Sequence, residues 1–244
     1  MKARAGIGIA LLAALTLLAN SPSDPGTPST RPPGGAKLVR ELGQRGGMTA
    51  GQIDFLTFVA YGESGLKPDV GLGDAALFPP GTRPNTKASQ SLQVAEAYAA
   101  RKAYDRNRGW LGSCPHPESA YAFGSGGLFA FLPVYALAQF KGTALECASP
   151  YSVFDPAFAM AAAYGFARGL TMRAGFLGTW ESLRSGWGLP SAMDDLERIA
   201  KKSDKWKRQL NAVGLPASRL KAEAPAFPRR DLVELYQGMG GGNA

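Results

Sequence analysis

A chain of 244 residues, 45% hydrophobic and 19% charged, is long enough for one compact domain with a full core, and no internal repeat divides it. Its formal charge of +8 suits an anionic polymer or surface, such as nucleic acid, teichoic acid, phospholipid or peptidoglycan. The absence of zinc-finger spacing, of a basic arm and of regular arginine and aromatic interleaving argues against nucleic acid. The single histidine, His116, lies between two prolines with no second ligand pair at a recognisable spacing, which argues against a metal centre and implies no cofactor.

The chain opens with Lys2 and Arg4, then an apolar run from Ala5 to Ala19, then a change to Asn20-Ser21-Pro22. That is the pattern of a secretory signal, so residues 1–20 are expected to direct export to the periplasm or cell envelope. The run is short and rich in Gly and Ala for a membrane span, which needs about 20 apolar residues. Cleavage near Ala19 or Asn20 would remove two cations and leave +6; the alternative is a retained anchor that gives transient membrane contact. Residues 21–37, made of Ser, Pro, Gly and Thr, cannot bury enough surface to offset chain entropy and are expected to be a disordered tether.

Thr49-Ala-Gly-Gln52 is a capping-box pattern, so a helix is expected from Ala50. Phe55, Leu56, Phe58, Val59 and Tyr61 cover most of its circumference, the mark of a helix enclosed by neighbours. Gly62 and Gly65 bracket Glu63 and Ser64 with Pro68 close behind, so the helix should end near that pair. The Gly- and Pro-rich stretch from Asp69 to Pro84 reads as loop, Ser89 to Arg106 as helix, and Trp110 to Ala122 as loop again. Pro133 is placed for the first turn of a helix reaching Phe140, with Gly142 as its stop. Asp155-Pro156 pairs an N-cap with a first-turn proline before an Ala-rich helix from Ala157 to Leu170.

A short helix is expected from Trp180 to Arg184, broken by Gly186-Trp-Gly-Leu-Pro190, and a longer one from Ser191 to Leu210. Within it Lys201, Lys202, Lys205, Lys207 and Arg208 read as a solvated face rather than a glycan-binding patch. Residues 217–244 are expected to form an extension with a short helix from Asp231 to Gln237 and a disordered tail from Gly240. No stretch alternates with period two for long, so the fold class is mainly α. Cys114 and Cys147, the two cysteines of an exported chain, are expected to pair across 33 residues, with two buried free thiols as the alternative.

A glutamate at the end of a buried helix meets the partial negative charge of the helix C-terminus and poor solvation, both of which disfavour the carboxylate and suit a general acid. By itself Glu63 followed by serine at a helix end is most often a solvated surface residue. Three blocks in order change that weighting: Glu63-Ser64-Gly65-Leu66-Lys67-Pro68, then Gly127-Leu128-Phe129-Ala130-Phe131-Leu132-Pro133, then Val153-Phe154-Asp155-Pro156. Together, over about Thr49 to Pro190, they resemble the soluble-lytic-transglycosylase branch of the lysozyme-like superfamily. The resemblance implies a lysozyme-like single domain over 38–216, with a helical and loop insertion at about 69–123. It implies Glu63 as the one catalytic acid, and Ser64, Gly127, Leu128, Phe129, Phe166 and Trp187 as substrate-binding candidates.

Each candidate has a plainer reading. Ser64 serves equally as a helix-end residue, Phe129 and Phe131 as core, and Trp187 as a packing anchor rather than a cleft wall. The chain also departs from the family's pattern. Ala130 stands where a glutamine is usual, Ala159 where an asparagine is usual, and Phe166 at the usual tyrosine position. Leu183-Arg184-Ser185-Gly186 replaces a Tyr-Asn-x-Gly segment and removes a tyrosine often near the catalytic glutamate.

The resemblance implies that Glu63 protonates the glycosidic oxygen between N-acetylmuramic acid and N-acetylglucosamine, then deprotonates the muramyl 6-hydroxyl to give a 1,6-anhydro product. No second carboxylate is then required, and Asp69 and Asp74 are more simply turn residues. Expected partners are peptidoglycan strands, in the setting of an envelope-spanning secretion machine or a phage lysis program. The rivals are a hydrolytic muramidase of the same fold and a glycan-binding scaffold whose chemistry has decayed, with a chitin-directed enzyme behind them.

Overall fold

The computed structural model describes residues 34–70, 103–115, 125–188 and 196–242. The expected export signal, most of the tether, the centre of the insertion with Asp74 and His116, and the helix start at Ser191 lie outside the described residues. Among the described residues the chain is mainly helical, and pairing of strand type is confined to isolated bridges.

Helix α1 spans Gly34–Arg45, so the tether expected up to residue 37 ends earlier. The spacing that builds it was present in the sequence: Ala36, Val39, Leu42 and Gly43 form one buried stripe at helical period. Its start lies against the backbone just past the next helix. A Cβ on Gly35 would come within 2.2 Å of the Leu66 carbonyl oxygen.

Helix α2, Ala50–Ser64, carries the expected capping box. Thr49 Oγ1 accepts from the Gln52 amide at 3.3 Å, and Gln52 Oε1 accepts from the Thr49 amide at 2.9 Å. The helix is buried on nearly every side from Gln52 to Ala60. Gly65 ends it in the left-handed region at φ 65°, its N–H donating to Tyr61 O.

A helical stretch, α3, covers residues 103–111 and runs past the end expected at Arg106, so Trp110 and Leu111 are helical rather than loop. Tyr104 and Leu111, seven residues apart, share its buried face. Cys114 follows and stands at disulfide distance from Cys147, with S–S 2.10 Å and Cα–Cα 5.2 Å. The bridge ties the chain just past α3 to a point 33 residues further along.

Helix α4, Pro133–Leu137, passes into a 3₁₀ turn, Ala138–Phe140. A second 3₁₀ turn, Pro150–Phe154, leads to Asp155, whose carboxylate accepts from the Ala157 amide at 2.8 Å and caps α5, Pro156–Thr171. The residues from Ala157 to Tyr164 are buried without a break. Helix α5 packs against α1, α2 and α4, and against α6, Trp180–Gly188, and α8, Leu232–Gly238.

Helix α6 runs four residues beyond the expected end. Gly186 is helical, and its bare Cα faces the Leu170 side chain of α5, which would stand 3.1 Å from an added Cβ. Helix α7, Leu196–Ala212, packs on α2 and on a 3₁₀ turn, Ala217–Lys221.

Residues 217–242 belong to the same core rather than standing apart as an extension. Phe227, Leu235, Tyr236 and Met239 are buried in it, each contributing about 1.5–3 kcal/mol of burial. Gln52 Nε2 donates to Ala226 O at 2.6 Å, Tyr164 Oη donates to Pro228 O at 3.1 Å, and Tyr236 Oη donates to Asp155 Oδ2 at 2.9 Å. Gly240 and Gly241, read from the sequence as the start of a disordered tail, fold back on Tyr236, with the Gly241 amide donating to Tyr236 O at 3.0 Å. Among the described residues no helix is long and apolar enough to cross a membrane.

Candidate active site

The three sequence blocks, far apart along the chain, meet at the C-terminal end of α2. Ser64 Oγ donates to Leu128 O at 2.7 Å, and the Gly127 amide donates to Val70 O at 2.7 Å. Gly127 also lies directly on the third block, since a Cβ there would fall 1.8 Å from Val153 O. Its φ of 75° is a second reason for glycine at this place. Gly126 meets the Phe154 ring in the same way, at 2.7 Å from an added Cβ. A tight loop with paired hydrogen bonds between Gly126 and Phe131 holds Gly127 to Ala130 in this position, Ala130 itself at φ 47°.

Glu63 occupies the last turn of α2 with its side chain 13% exposed. Its partner is a cation that the sequence did not announce. Arg184 Nη2 of α6 lies 2.7 Å from Glu63 Oε1, and the arginine is 3% exposed. That separation is of hydrogen-bond length, yet Oε1 has no hydrogen-bond partner of acceptable angle. The pair is therefore a close Coulombic contact rather than an aligned two-pronged fork.

Arg184 lies over two aromatic rings, its guanidinium carbon 5.9 Å from the ring centres of both Phe58 and Trp206. Arg184 Nε and Gln209 Oε1 of α7 are likewise buried without hydrogen-bond partners. A buried polar atom that neither protein nor water satisfies costs about 1–3 kcal/mol.

Gly62 makes room for this cluster. A Cβ there would lie 2.9 Å from both Arg184 Nη2 and Gln209 Oε1. Lys205 is within electrostatic reach. Burial first, and then repulsion by Arg184, hold its ammonium below the ordinary lysine range, while Glu63 pulls it upward and Arg208 adds to the lowering. The rest of the basic stretch divides by helical period: Ser203, Trp206, Gln209 and Leu210 face inward, whereas Lys207 and Arg208 are exposed.

The other candidates take different places. The Ser64 hydroxyl is engaged entirely with main chain, bonding Ala60 O, Leu128 O and the Lys67 amide. Leu128, Phe129 and Trp187 are buried, and Phe166 is partly buried. Trp187 is the hub of an aromatic group, with ring centres 5.0 Å from Phe166, 5.9 Å from Phe131, 6.0 Å from Phe129 and 6.4 Å from Phe55. These rings form the wall behind the three-block junction, packed on one another.

Asp69 lies five residues past the end of α2. Ala159 is fully enclosed in α5. Among the described residues no three of His, Cys, Asp or Glu stand together as a metal site would need.

Arg184, Gln209 and Gly62 are the functional candidates that sequence reasoning did not single out. Gln209 carried a readable signal, a polar residue on the apolar stripe Trp206, Leu210 and Val213. Arg184 carried one as well, at a stripe position of α6 shared with Trp180, Leu183 and Trp187. Comparison with protein-family models, with curated proteins and with solved structures gave no match.

Proposed function

We propose that this chain is an exported, peptidoglycan-cleaving enzyme of the lytic-transglycosylase kind, with Glu63 as its single proton-transfer group. The observation that carries this reading is the convergence at the end of α2. Glu63-Ser64, Gly127-Leu128 and Val153 come from separate parts of the chain and are locked together by the Ser64–Leu128 bond and the Gly127–Val153 contact. A partly buried carboxyl held in a fixed place can act as general acid and then as general base on reacting oxygens within hydrogen-bond reach of it.

In the reaction, Glu63 donates its proton to the oxygen that links N-acetylmuramic acid to N-acetylglucosamine, and the bond from the muramyl C1 to that oxygen breaks. The carboxylate so formed takes the proton of the muramyl 6-hydroxyl, whose oxygen closes on C1. The product carries a 1,6-anhydro ring, Glu63 regains its proton, and no water is consumed. No second carboxylate is needed, in contrast to the paired acids of most glycosidases.

The test is digestion of purified sacculi by wild-type protein and by Glu63→Gln, with the released ends weighed by mass spectrometry. Anhydro ends from wild type and none from the variant are expected. Reducing ends instead would identify a hydrolytic muramidase of the same fold. Activity of Glu63→Gln at wild-type level would remove Glu63 from the chemistry.

A second reading has its own observation. The ion pair with Arg184, together with Ala130 at the usual glutamine position, is also what a glycan-binding scaffold with decayed chemistry would hold. That protein would sediment with sacculi and release nothing from them. Service to an envelope-spanning machine or to a phage lysis program belongs to the same proposal and rests on the expected export signal.

A further inference from the structure

The geometry points to Arg184 as a positioning residue for Glu63, an inference that rests on the catalytic reading above. Arg184 lies on the inward stripe of α6 with Trp180, Leu183 and Trp187, at spacings of three and four residues where an aliphatic side chain would complete the core. A guanidinium buried there must be compensated, and the compensation is Glu63 at 2.7 Å.

Stability alone does not account for the pair. A buried ion pair is often matched or bettered by apolar residues of like volume, and this one leaves Arg184 Nε and Glu63 Oε1 without hydrogen bonds. What the pair supplies is a fixed place for the carboxyl. The guanidinium rests over the Phe58 and Trp206 rings, so Glu63 is anchored through it to α6 and α7 rather than free to swing from the end of α2. Arg184 is too deeply buried to touch a glycan, so it acts through Glu63 and not on substrate. It comes from the segment in which the resemblance to lytic transglycosylases expects a tyrosine near the catalytic glutamate, and it occupies that neighbourhood with a different chemistry.

The test measures cleavage of sacculi and, separately, thermal unfolding for wild type, Glu63→Gln, Arg184→Met, Arg184→Lys and Gly62→Ala. For Arg184→Met we expect kcat lower by about 10–100-fold with KM changed by no more than about threefold, since a misplaced acid harms the reacting geometry and not binding. Arg184→Lys keeps the charge without the planar fork and recovers part of the rate. Gly62→Ala keeps every charge and favours the helix, yet its methyl crowds Arg184 Nη2 and Gln209 Oε1, so it lowers kcat without lowering the melting temperature.

A folded Arg184→Met variant with wild-type kcat overturns the role. If Arg184→Met fails to fold, wild-type kcat in Gly62→Ala overturns it instead. Wild-type protein that releases nothing overturns the catalytic reading and this role with it. Where wild type is active and Glu63→Gln is inert, the catalytic reading stands, and the arginine and glycine variants alone decide the role of Arg184.

Discussion

Ser64 Oγ donates to Leu128 O at 2.7 Å across the junction of the first and second blocks, and the same oxygen accepts from the Lys67 amide at 3.2 Å. One hydroxyl thus closes the end of α2 and holds the Gly127 loop against it. The residue next to the proposed acid is there to fix the backbone on which the acid stands.

Replacing Ser64 by alanine leaves the buried Leu128 carbonyl without that partner and removes the part-buried bond from the Lys67 amide. The expected loss is about 1–3 kcal/mol of folding free energy. In a domain of this size each kcal/mol lowers the melting temperature by roughly 2–4 °C, which calorimetry resolves. An unchanged melting temperature would mean that the loop is held by other contacts.

Two glycines with similar positive φ make a paired prediction. Gly65 at φ 65° has nothing within 4 Å of an added Cβ, so Gly65→Ala meets only the left-handed backbone cost of about 1–2 kcal/mol. Gly127 at φ 75° also carries a positive-φ cost, and in addition its Cβ would fall 1.8 Å from Val153 O, a backbone atom that cannot swing aside. Gly127→Ala is expected to lose well over twice as much as Gly65→Ala in urea unfolding. Equal losses would show that the Gly127 segment and Val153 are not in contact in solution.

The parts of the fold carried by local chemistry were legible. Thr49 with Gln52, Gly65, Pro133 and Asp155-Pro156 each set a boundary through a cap or a fixed φ, and the structure places α2, α4 and α5 at those boundaries. What was not legible depended on distant neighbours. Gly186 reads as a breaker until Leu170 is placed against it, and the C-terminal residues read as an appendage until Gln52, Asp155 and Tyr164 are seen to bond them.

The candidate site divides in the same way. Glu63, Ser64 and Gly127 were found by motif, whereas Arg184 enters through the packing of α6 on α2, and no spacing in the sequence sets that register. Phe129 and Trp187 show the limit of composition, since an aromatic side chain near a glycine-rich block has the same sequence signature in a cleft as in a core.

The Cys114–Cys147 bridge closes 33 residues of chain that include the Gly127 loop. By the chain-entropy estimate its loss lowers stability by roughly 3–4 kcal/mol. Unfolding of the protein with and without a phosphine reductant measures this directly. If the bridge also steadies the Gly127 loop that it encloses, reduction at a temperature where the protein stays folded will lower the proposed release of glycan. Equal rates before and after reduction would separate the bridge from that activity.

Asp54, half-buried on α2, makes stability depend on pH with a sign that can be worked out. Burial is the largest influence and raises its carboxyl above the ordinary carboxylate range, while Arg219 and Arg40 act in the opposite direction. A carboxyl whose folded value lies above its unfolded one contributes stability that is complete below the unfolded value and is lost as the pH rises through the folded value. Asp54→Asn stays neutral throughout and keeps that contribution. The variant should therefore match wild type at a pH below the ordinary carboxylate range, and become the more stable of the two as the pH passes upward through and beyond it. The gain near neutrality should be no more than about 1 kcal/mol, because solvent screens a half-exposed group. Urea midpoints measured across the acid range decide the matter. A variant less stable than wild type near neutrality would show that attraction to Arg219 and Arg40 outweighs the burial of Asp54.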